Sequence, residues 1–328
     1  MQKRAFGRTG RAVGEIGFGA WAVGGAWGQV DDASGEAALH AALDAGMDFI
    51  DTADVYGDGH SERLIARVLK ARGGERPFVA TKAGRRLPQQ TVAGYSAENL
   101  ERYIDDSRRN LQMDCLDLVQ LHCPPTDLYY HPEVFERMDR LVEQGKLRHY
   151  GVSVERVEEA LKAIDYPNVV SVQIIYNAFR HRPAEVLFPL ARLRQVAIIA
   201  RVPLASGLLS GKLTANSQFA ADDHRQFNRH GEAFDVGETF SGVPFEVGLA
   251  AVEKLRPLLR GDATLAQLAL RWILMNDAVS VVIPGARTPA QASANAAAAH
   301  LPALDRDSMD AIEQIYVNDI KPHVHQRW

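Results

Sequence analysis

Four side chains in this 328-residue chain stand where chemistry is easiest to read. The apolar run MDFID ends in Asp51, and Tyr56-Gly57 follows shortly after it. PFVATK ends in Lys82, and LDLVQLH ends in His122. A lone buried Asp, Tyr, Lys or His is usually structural, but an acid, a phenol, an ammonium and an imidazole closing successive apolar runs are hard to explain by packing. Their chemistry fits together. A phenol has a reference pKa of about 10 and is a poor acid at neutral pH. A neighbouring ammonium favours phenolate, so Lys82 would lower the pKa of Tyr56 and make it a better proton donor. Asp51 can hold Lys82 charged and oriented, and His122 can donate to a carbonyl oxygen or orient it. Such a set would protonate the oxygen of a carbonyl as its carbon gains a hydride.

These residues need elements that bring run ends to one rim. Short β-branched segments (IGFGAW, MDFID, PFVATK, LDLVQLH, LRHYGVS, VVSVQI, VAIIARV, VSVVIP) alternate with amphipathic helical patterns such as ERLIARVLKARG and EVFERMDRLVEQG. In the helical patterns apolar residues recur at three- and four-residue spacing, which places one face on a sheet. Ser61 with Glu62 and Ser96 with Glu98 supply helix-start chemistry, and Gly46 and Gly145 close helices. The alternation predicts parallel βαβ units and an α/β fold, a (β/α)8 TIM barrel with reactive residues at the C-terminal strand ends. A hairpin from Lys3 to Ile16, turning at Arg8-Thr9-Gly10, precedes it. No Pro/Ser/Gly-rich linker divides the chain, which predicts a single domain over 1–328. The polar stretch from about Thr214 to Pro244 interrupts the rhythm and reads as a long mobile loop on the catalytic face, or as a surface excursion without a role.

Asp51-Thr52-Ala53-Asp54-Val55-Tyr56-Gly57 resembles the D-T-A-x-x-Y-G motif of the aldo-keto reductases, and Lys82 after V-A-T and His122 after L-V-Q-L are similar to that family's other reactive residues. The resemblance, to the bacterial general aldo/keto reductase type, runs from Phe6 to at least Asn295. It implies a (β/α)8 barrel that takes hydride from a nicotinamide cofactor, with Tyr56 as general acid, Asp51 and Lys82 tuning it, and His122 positioning the carbonyl. It also implies where the cofactor lies, with Gly19 and Trp21 bordering it. Ser153 in Gly151-Val152-Ser153, and Gln173, would hold the carboxamide; Val154 stands where relatives commonly have Asn. Arg201 stands where relatives have a Tyr that stacks on nicotinamide, a role a planar guanidinium can also fill. The segment from Leu204 through Ser206 and Leu208 to Lys212 resembles the family's phosphate loop, whose glycines let backbone amides approach pyrophosphate. Gly285, Arg287, Gln291 and Asn295 would receive the adenosine end at a helix start with Thr288 as N-cap and Pro289 at N1. Arg287 is the natural partner of a 2′-phosphate, which favours NADPH while leaving NADH possible.

Other readings weaken against the same residues. Gly17-Phe18-Gly19-Ala20-Trp21-Ala22 matches a loose G-x-G-x-x-A pattern, but Val23 to Gly28 cannot open the helix a Rossmann site requires. A Schiff base on Lys82 would suit Asp51 and Tyr56, yet leaves Lys212, Arg287, Gln291 and Asn295 unexplained. An NADPH-sensing regulatory subunit with slow turnover is the alternative from another class. His122, His131, His323 and His325 lack the spacing of a metal site, so no metal is expected. The net charge of -4 carries no basic stripe and no apolar run reaches membrane-spanning length, so neither nucleic acid nor membrane is expected as a partner. Cys115 and Cys123 read as reduced, and no signal-peptide pattern is present, which suggests the cytoplasm. Trp21, Trp27, Tyr56 and His122 would line the substrate pocket, suiting small apolar or aromatic carbonyls. The tail from His323 to Trp328 would help shape it.

Overall fold

The computed structural model describes residues 1–25, 27 and 31–328; Ala26 and Gly28 of the segment weighed above lie outside them. Eight parallel strands run in chain order around one sheet: β3 (Phe18–Gly19), β4 (Phe49–Asp51), β5 (Phe78–Ala83), β6 (Leu116–His122), β7 (Leu147–Ser153), β8 (Val169–Ile175), β9 (Ala197–Arg201) and β10 (Val279–Val282). The ends of the sheet meet. Gly17 N–H donates to Val282 O at 2.8 Å, Val282 N–H to Glu15 O at 3.0 Å, and Gly19 N–H to Pro284 O at 3.1 Å. A Cβ on Gly19 would lie 2.7 Å from the Ile283 carbonyl oxygen, so the seam closes only with glycine there. Closure joins the two edge strands of this sheet.

The N-terminal hairpin, β1 (Lys3–Ala5) with β2 (Ala12–Gly14), pairs antiparallel and seals the bottom of the barrel. Phe6 enters beneath Phe49 and Phe78, with ring centroids at 5.4 and 5.2 Å. The Arg4 guanidinium pins the hairpin to the carbonyls of Leu274, Asn276 and Val279 and to Glu15.

Helices follow the strands: α1 (Asp32–Asp44), α2 (His60–Arg72), α3 (Ala97–Leu111), α4 (Pro132–Glu143), α5 (Val157–Ala163) and α6 (Leu187–Leu193). Beyond β9 come α7 (His224–Phe227), α8 (Phe245–Leu255), α9 (Leu265–Leu274), α10 (Pro289–Ala297), α11 (Arg306–Ile315) and α12 (Lys321–Val324). Ser96 and Thr288 cap α3 and α10 as their sequences indicate. Ser61 does not cap α2. Gly59, in the left-handed region, starts that helix, and Ser61 is buried with its hydroxyl 2.8 Å from Thr52 Oγ1. Glu62 is likewise buried, accepting from Thr81 and Asn110. These polar types were needed inside, to satisfy neighbours at the strand ends, rather than at the helix terminus.

The stretch from Thr214 to Pro244 is no loose excursion. It carries α7 and two short 3₁₀ turns, Val236–Glu238 and Phe240–Gly242, and buries His224, Asn228, Glu238 and Ser241. Its polar side chains are spent on one another and on the barrel. Asn228 Oδ1 accepts from Ala233 and Phe234 N–H, and Ser206 Oγ links the Glu238 carbonyl to Phe240 N–H. Composition alone hid this, because polar residues that satisfy each other can be buried as readily as apolar ones.

Candidate active site

The ends of β4, β5 and β6 deliver Asp51, Lys82 and His122, and the turn after β4 delivers Tyr56. Lys82 is fully buried. Its ammonium donates to Asp51 Oδ1 at 2.6 Å, to Thr52 O at 2.8 Å and to the Tyr56 hydroxyl at 3.3 Å. Asp51 Oδ2 accepts from Gln173 Nε2 at 2.7 Å and Gln120 Nε2 at 3.3 Å. Burial opposes the Lys82 charge, but Asp51 and the Tyr56 hydroxyl outweigh it and raise its pKa. The ammonium is therefore permanent at neutral pH. The same arrangement corrects the expectation for Tyr56. Burial, helped by Asp51 and Glu238, pushes the phenol up despite the pull of Lys82, so its pKa is raised, not lowered. Lys82 limits that rise without reversing it.

His122 is held neutral, its pKa well below the ordinary value, first by burial and then by Arg85, Lys82 and Arg201. Its Nδ1 has no partner among the described residues. A neutral imidazole can donate one hydrogen bond to a carbonyl oxygen without adding charge.

Behind this group lies a second acid. Asp54 is fully buried with neither carboxylate oxygen hydrogen-bonded by a side chain or backbone group among the described residues, and its pKa is pushed up to about 8, by burial first and then by Glu62, against Arg86 and Lys82. A folded value above the unfolded one means the stabilising proton is held fully below about pH 4 and lost as pH rises through about 8. Asp54→Asn is expected to melt near the wild type at about pH 5 and clearly above it at about pH 9. Equal thermal midpoints for the two proteins at both pH values would show that Asp54 is not protonated in the fold.

A cleft of about 430 Å³ runs from this cluster to the start of α10. Gly19, Trp21, Trp27, Asp51, Tyr56, His122, Ser153, Gln173, Arg201, Leu204, Ser206, Lys212, Gly285, Arg287, Gln291 and Asn295 all line it. A larger hollow of about 840 Å³ lies at the opposite, hairpin end, away from all of these residues. Two predicted residues do not reach the cleft wall. Lys82 sits behind Tyr56, its ammonium 3.3 Å from the phenol oxygen. Leu208 is buried against Gly248, where even a Cβ would come within 2.7 Å of Leu208 Cδ1. Its apolar side chain is drawn into the core, leaving the loop's polar neighbours at the cleft. The tail from His323 to Trp328 does not line the cleft either.

Several predicted ligands already have protein partners. The Gln173 amide N–H groups go to Asp51 and to Gln120 Oε1 at 3.2 Å, which leaves its oxygen as an acceptor. Gln291 Oε1 accepts from Arg287 N–H at 2.8 Å, and Asn295 Nδ2 donates to Gly285 O at 3.2 Å. Arg287 Nη1 donates to Trp27 O at 3.1 Å. The turn after β9 holds Val202, Ala205 and Ser206 at φ +50°, +48° and +52°. Non-glycine residues rarely adopt this conformation, and it costs about 1–3 kcal/mol each. The hydroxyl of Ser206, bonded to the residue 236–242 segment, helps hold that turn open to the cleft.

Sequence reading missed three residues here. Glu238 pairs with Arg85 at 2.6 Å and with Arg201 at 3.3 Å, and these guanidiniums bring its carboxyl down to about 2 despite burial. Arg201 is thus a carboxylate-paired arginine whose side chain also borders the cleft. Arg225 pairs with Asp223 at 2.6 Å, lies over the Trp27 ring and reaches the cleft. Arg85 follows the Lys82 strand in K-A-G-R and was visible as a rim cation; Glu238 and Arg225 lay in the stretch read as a loop. Cys123 Sγ, Glu155 and Glu238 are mutually within reach of one ion, but both guanidiniums already lie against that group. His131 is bonded to Glu133 and His325 to Tyr316. Among the described residues, no helix is long and apolar enough to cross a membrane.

The chain is 31% identical over 301 residues to aldo-keto reductase YhdN of Bacillus subtilis, covering 90% of this chain and 87% of the relative. The holo form of aldo-keto reductase AKR11C1 from Bacillus halodurans superposes with a TM-score of 0.76 at 28% identity, covering 96% of each chain. An aldo-keto reductase from Klebsiella pneumoniae, solved in complex with NADPH, shares the fold at TM-score 0.70 and 24% identity, again over 96% of each chain. The aldo/keto reductase family model matches residues 15–317, the span that forms the closed barrel and every residue lining its cleft, and the chain belongs to that family.

Proposed function

We propose that this barrel is an NADPH-dependent carbonyl reductase acting on small aldehydes or ketones. One observation carries the reading. The Tyr56 hydroxyl, in contact with the Lys82–Asp51 pair, opens into the same cleft as Ser153, Gln173 and Arg201. The cofactor, when bound, supplies the hydride. The residues fit it: a carboxamide would donate to Gln173 Oε1 and accept from Ser153, and the Arg201 guanidinium plane would lie against the ring. Lys212 and Arg225 offer positive charge beside the loop that follows β9. The carbonyl oxygen sits between Tyr56 Oη and His122, and Tyr56 gives up its proton as negative charge develops there. Lys82, charged by Asp51, stabilises the phenolate left behind. Trp21 and Trp27, edge to face at 5.4 Å, and Tyr56, stacked on Trp21 at 6.1 Å, make the substrate end of the cleft aromatic. That lining suits apolar or aromatic carbonyls.

The test is NADPH oxidation, followed by absorbance, across a panel of aldehydes and ketones. Carbonyl-dependent oxidation supports the reductase. Tight NADPH binding with no carbonyl reduced would favour the sensing role, and no binding of either nicotinamide dinucleotide would sink both. In parallel, Arg287→Ala is expected to raise the KM for NADPH by about tenfold or more, the worth of a hydrogen-bonded charge, and to leave that for NADH unchanged. Equal losses for the two cofactors would remove Arg287 from 2′-phosphate recognition.

A further inference from the structure

Trp328 lies outside the cleft, yet it is buried against the segment that carries Glu238. Its indole N–H donates to Asp235 Oδ1 at 2.8 Å, and that same oxygen accepts from Gly237 N–H at 2.7 Å. Two guanidiniums lie over the ring, Arg180 at 4.1 Å and Arg327 at 4.3 Å from its centroid. It presses on the two glycines that flank the turn. A Cβ on Gly237 would stand 2.9 Å from the indole, and one on Gly242 would collide with it. Arg180 also donates to Ser241 O at 3.2 Å, and Asn177 to Ser241 Oγ at 2.8 Å, so the barrel holds the turn as well.

What the turn presents to the cleft is fixed in consequence. Glu238 leaves it to meet Arg85 and Arg201, and its carbonyl accepts from Ser206 Oγ at 3.0 Å. Without the indole, the wall behind residues 235–242 becomes a void the size of the largest side chain. A retreating carboxylate would leave Arg201 without its carboxylate partner and Arg85 with only the longer contact to Glu155 at 3.4 Å.

We propose that Trp328 is a positioning residue for the cofactor seat, acting through Glu238 on Arg201. The inference rests on the reading of Arg201 as the face that meets nicotinamide. The experiment measures NADPH Kd, kcat and carbonyl KM for wild type, Trp328→Ala, Trp328→Phe, Glu238→Gln and the double variant Trp328→Ala/Glu238→Gln. Trp328→Ala and Glu238→Gln are each expected to raise NADPH Kd on the order of tenfold, and the double variant to add little to either, as residues of one linked unit do. Trp328→Phe, which keeps an aromatic ring against the guanidiniums and loses the N–H with the indole's second ring, should recover most of the affinity. A folded Trp328→Ala protein with Kd within about twofold of wild type, or a double variant whose losses multiply, would overturn the proposal. Should Trp328→Ala fail to fold, Glu238→Gln and Trp328→Phe decide: an unchanged Kd in Glu238→Gln rejects it, and a graded loss in both upholds it. A wild-type protein that binds no nicotinamide cofactor would reject the functional reading and this inference together, an outcome distinct from binding that the variants leave untouched.

Discussion

Replacing Tyr56 by phenylalanine is expected to lower kcat for carbonyl reduction by on the order of 10²–10⁴ while leaving cofactor binding and the fold in place. The substitution removes one oxygen and the proton it carries. Lys82 loses its longest contact, at 3.3 Å, and keeps Asp51 at 2.6 Å and Thr52 O at 2.8 Å, so its charge stays compensated. The loss should therefore fall on the chemical step. A pH profile adds a second readout. Because the Tyr56 pKa is raised above the ordinary phenol value, the acid form persists through the neutral range. The kcat/KM for reduction should stay level there and fall only on the alkaline side. A Tyr56→Phe enzyme that retains wild-type kcat would remove Tyr56 as the proton donor.

Lys82→Met is expected to cost both activity and stability, in contrast to Tyr56→Phe. The thioether fills much of the lysine's space but leaves Asp51 as a buried carboxylate with only two amide donors, Gln173 and Gln120. Breaking a buried pair by removing one partner typically costs about 3–5 kcal/mol. Activity should fall to roughly the level of Tyr56→Phe, since a phenolate left without its ammonium is a poorer leaving form, and the double variant should be little worse than either single one. Denaturant unfolding reads the first effect and steady-state kinetics the second. A Lys82→Met protein as stable as wild type to within about 0.5 kcal/mol would mean that the Lys82–Asp51 pair adds nothing to the stability of the fold.

The sequence by itself determined which residues stand at the rim and in what order. Asp51, His122, Ser153 and Arg201 each close a strand whose apolar run is legible in one dimension, Lys82 stands one residue before the end of its own, and a parallel barrel carries all such ends to one face. The start of α10 was equally plain, because Thr288 and Pro289 state their capping roles locally. Tertiary structure alone decided what each rim residue touches. Arg85 and Glu238 are 153 positions apart, and Gln173 and Asp51 are 122 apart; such partners are chosen by packing, on which local propensity has no purchase. The same is true of solvation. Whether Lys82 lowers the Tyr56 pKa or merely limits its rise depends on how much water reaches the phenol, and whether Leu208 faces the cleft or Gly248 depends on which side offers apolar surface. The residue types fix the available chemistry; burial and distant pairing fix the protonation state and geometry in which it operates.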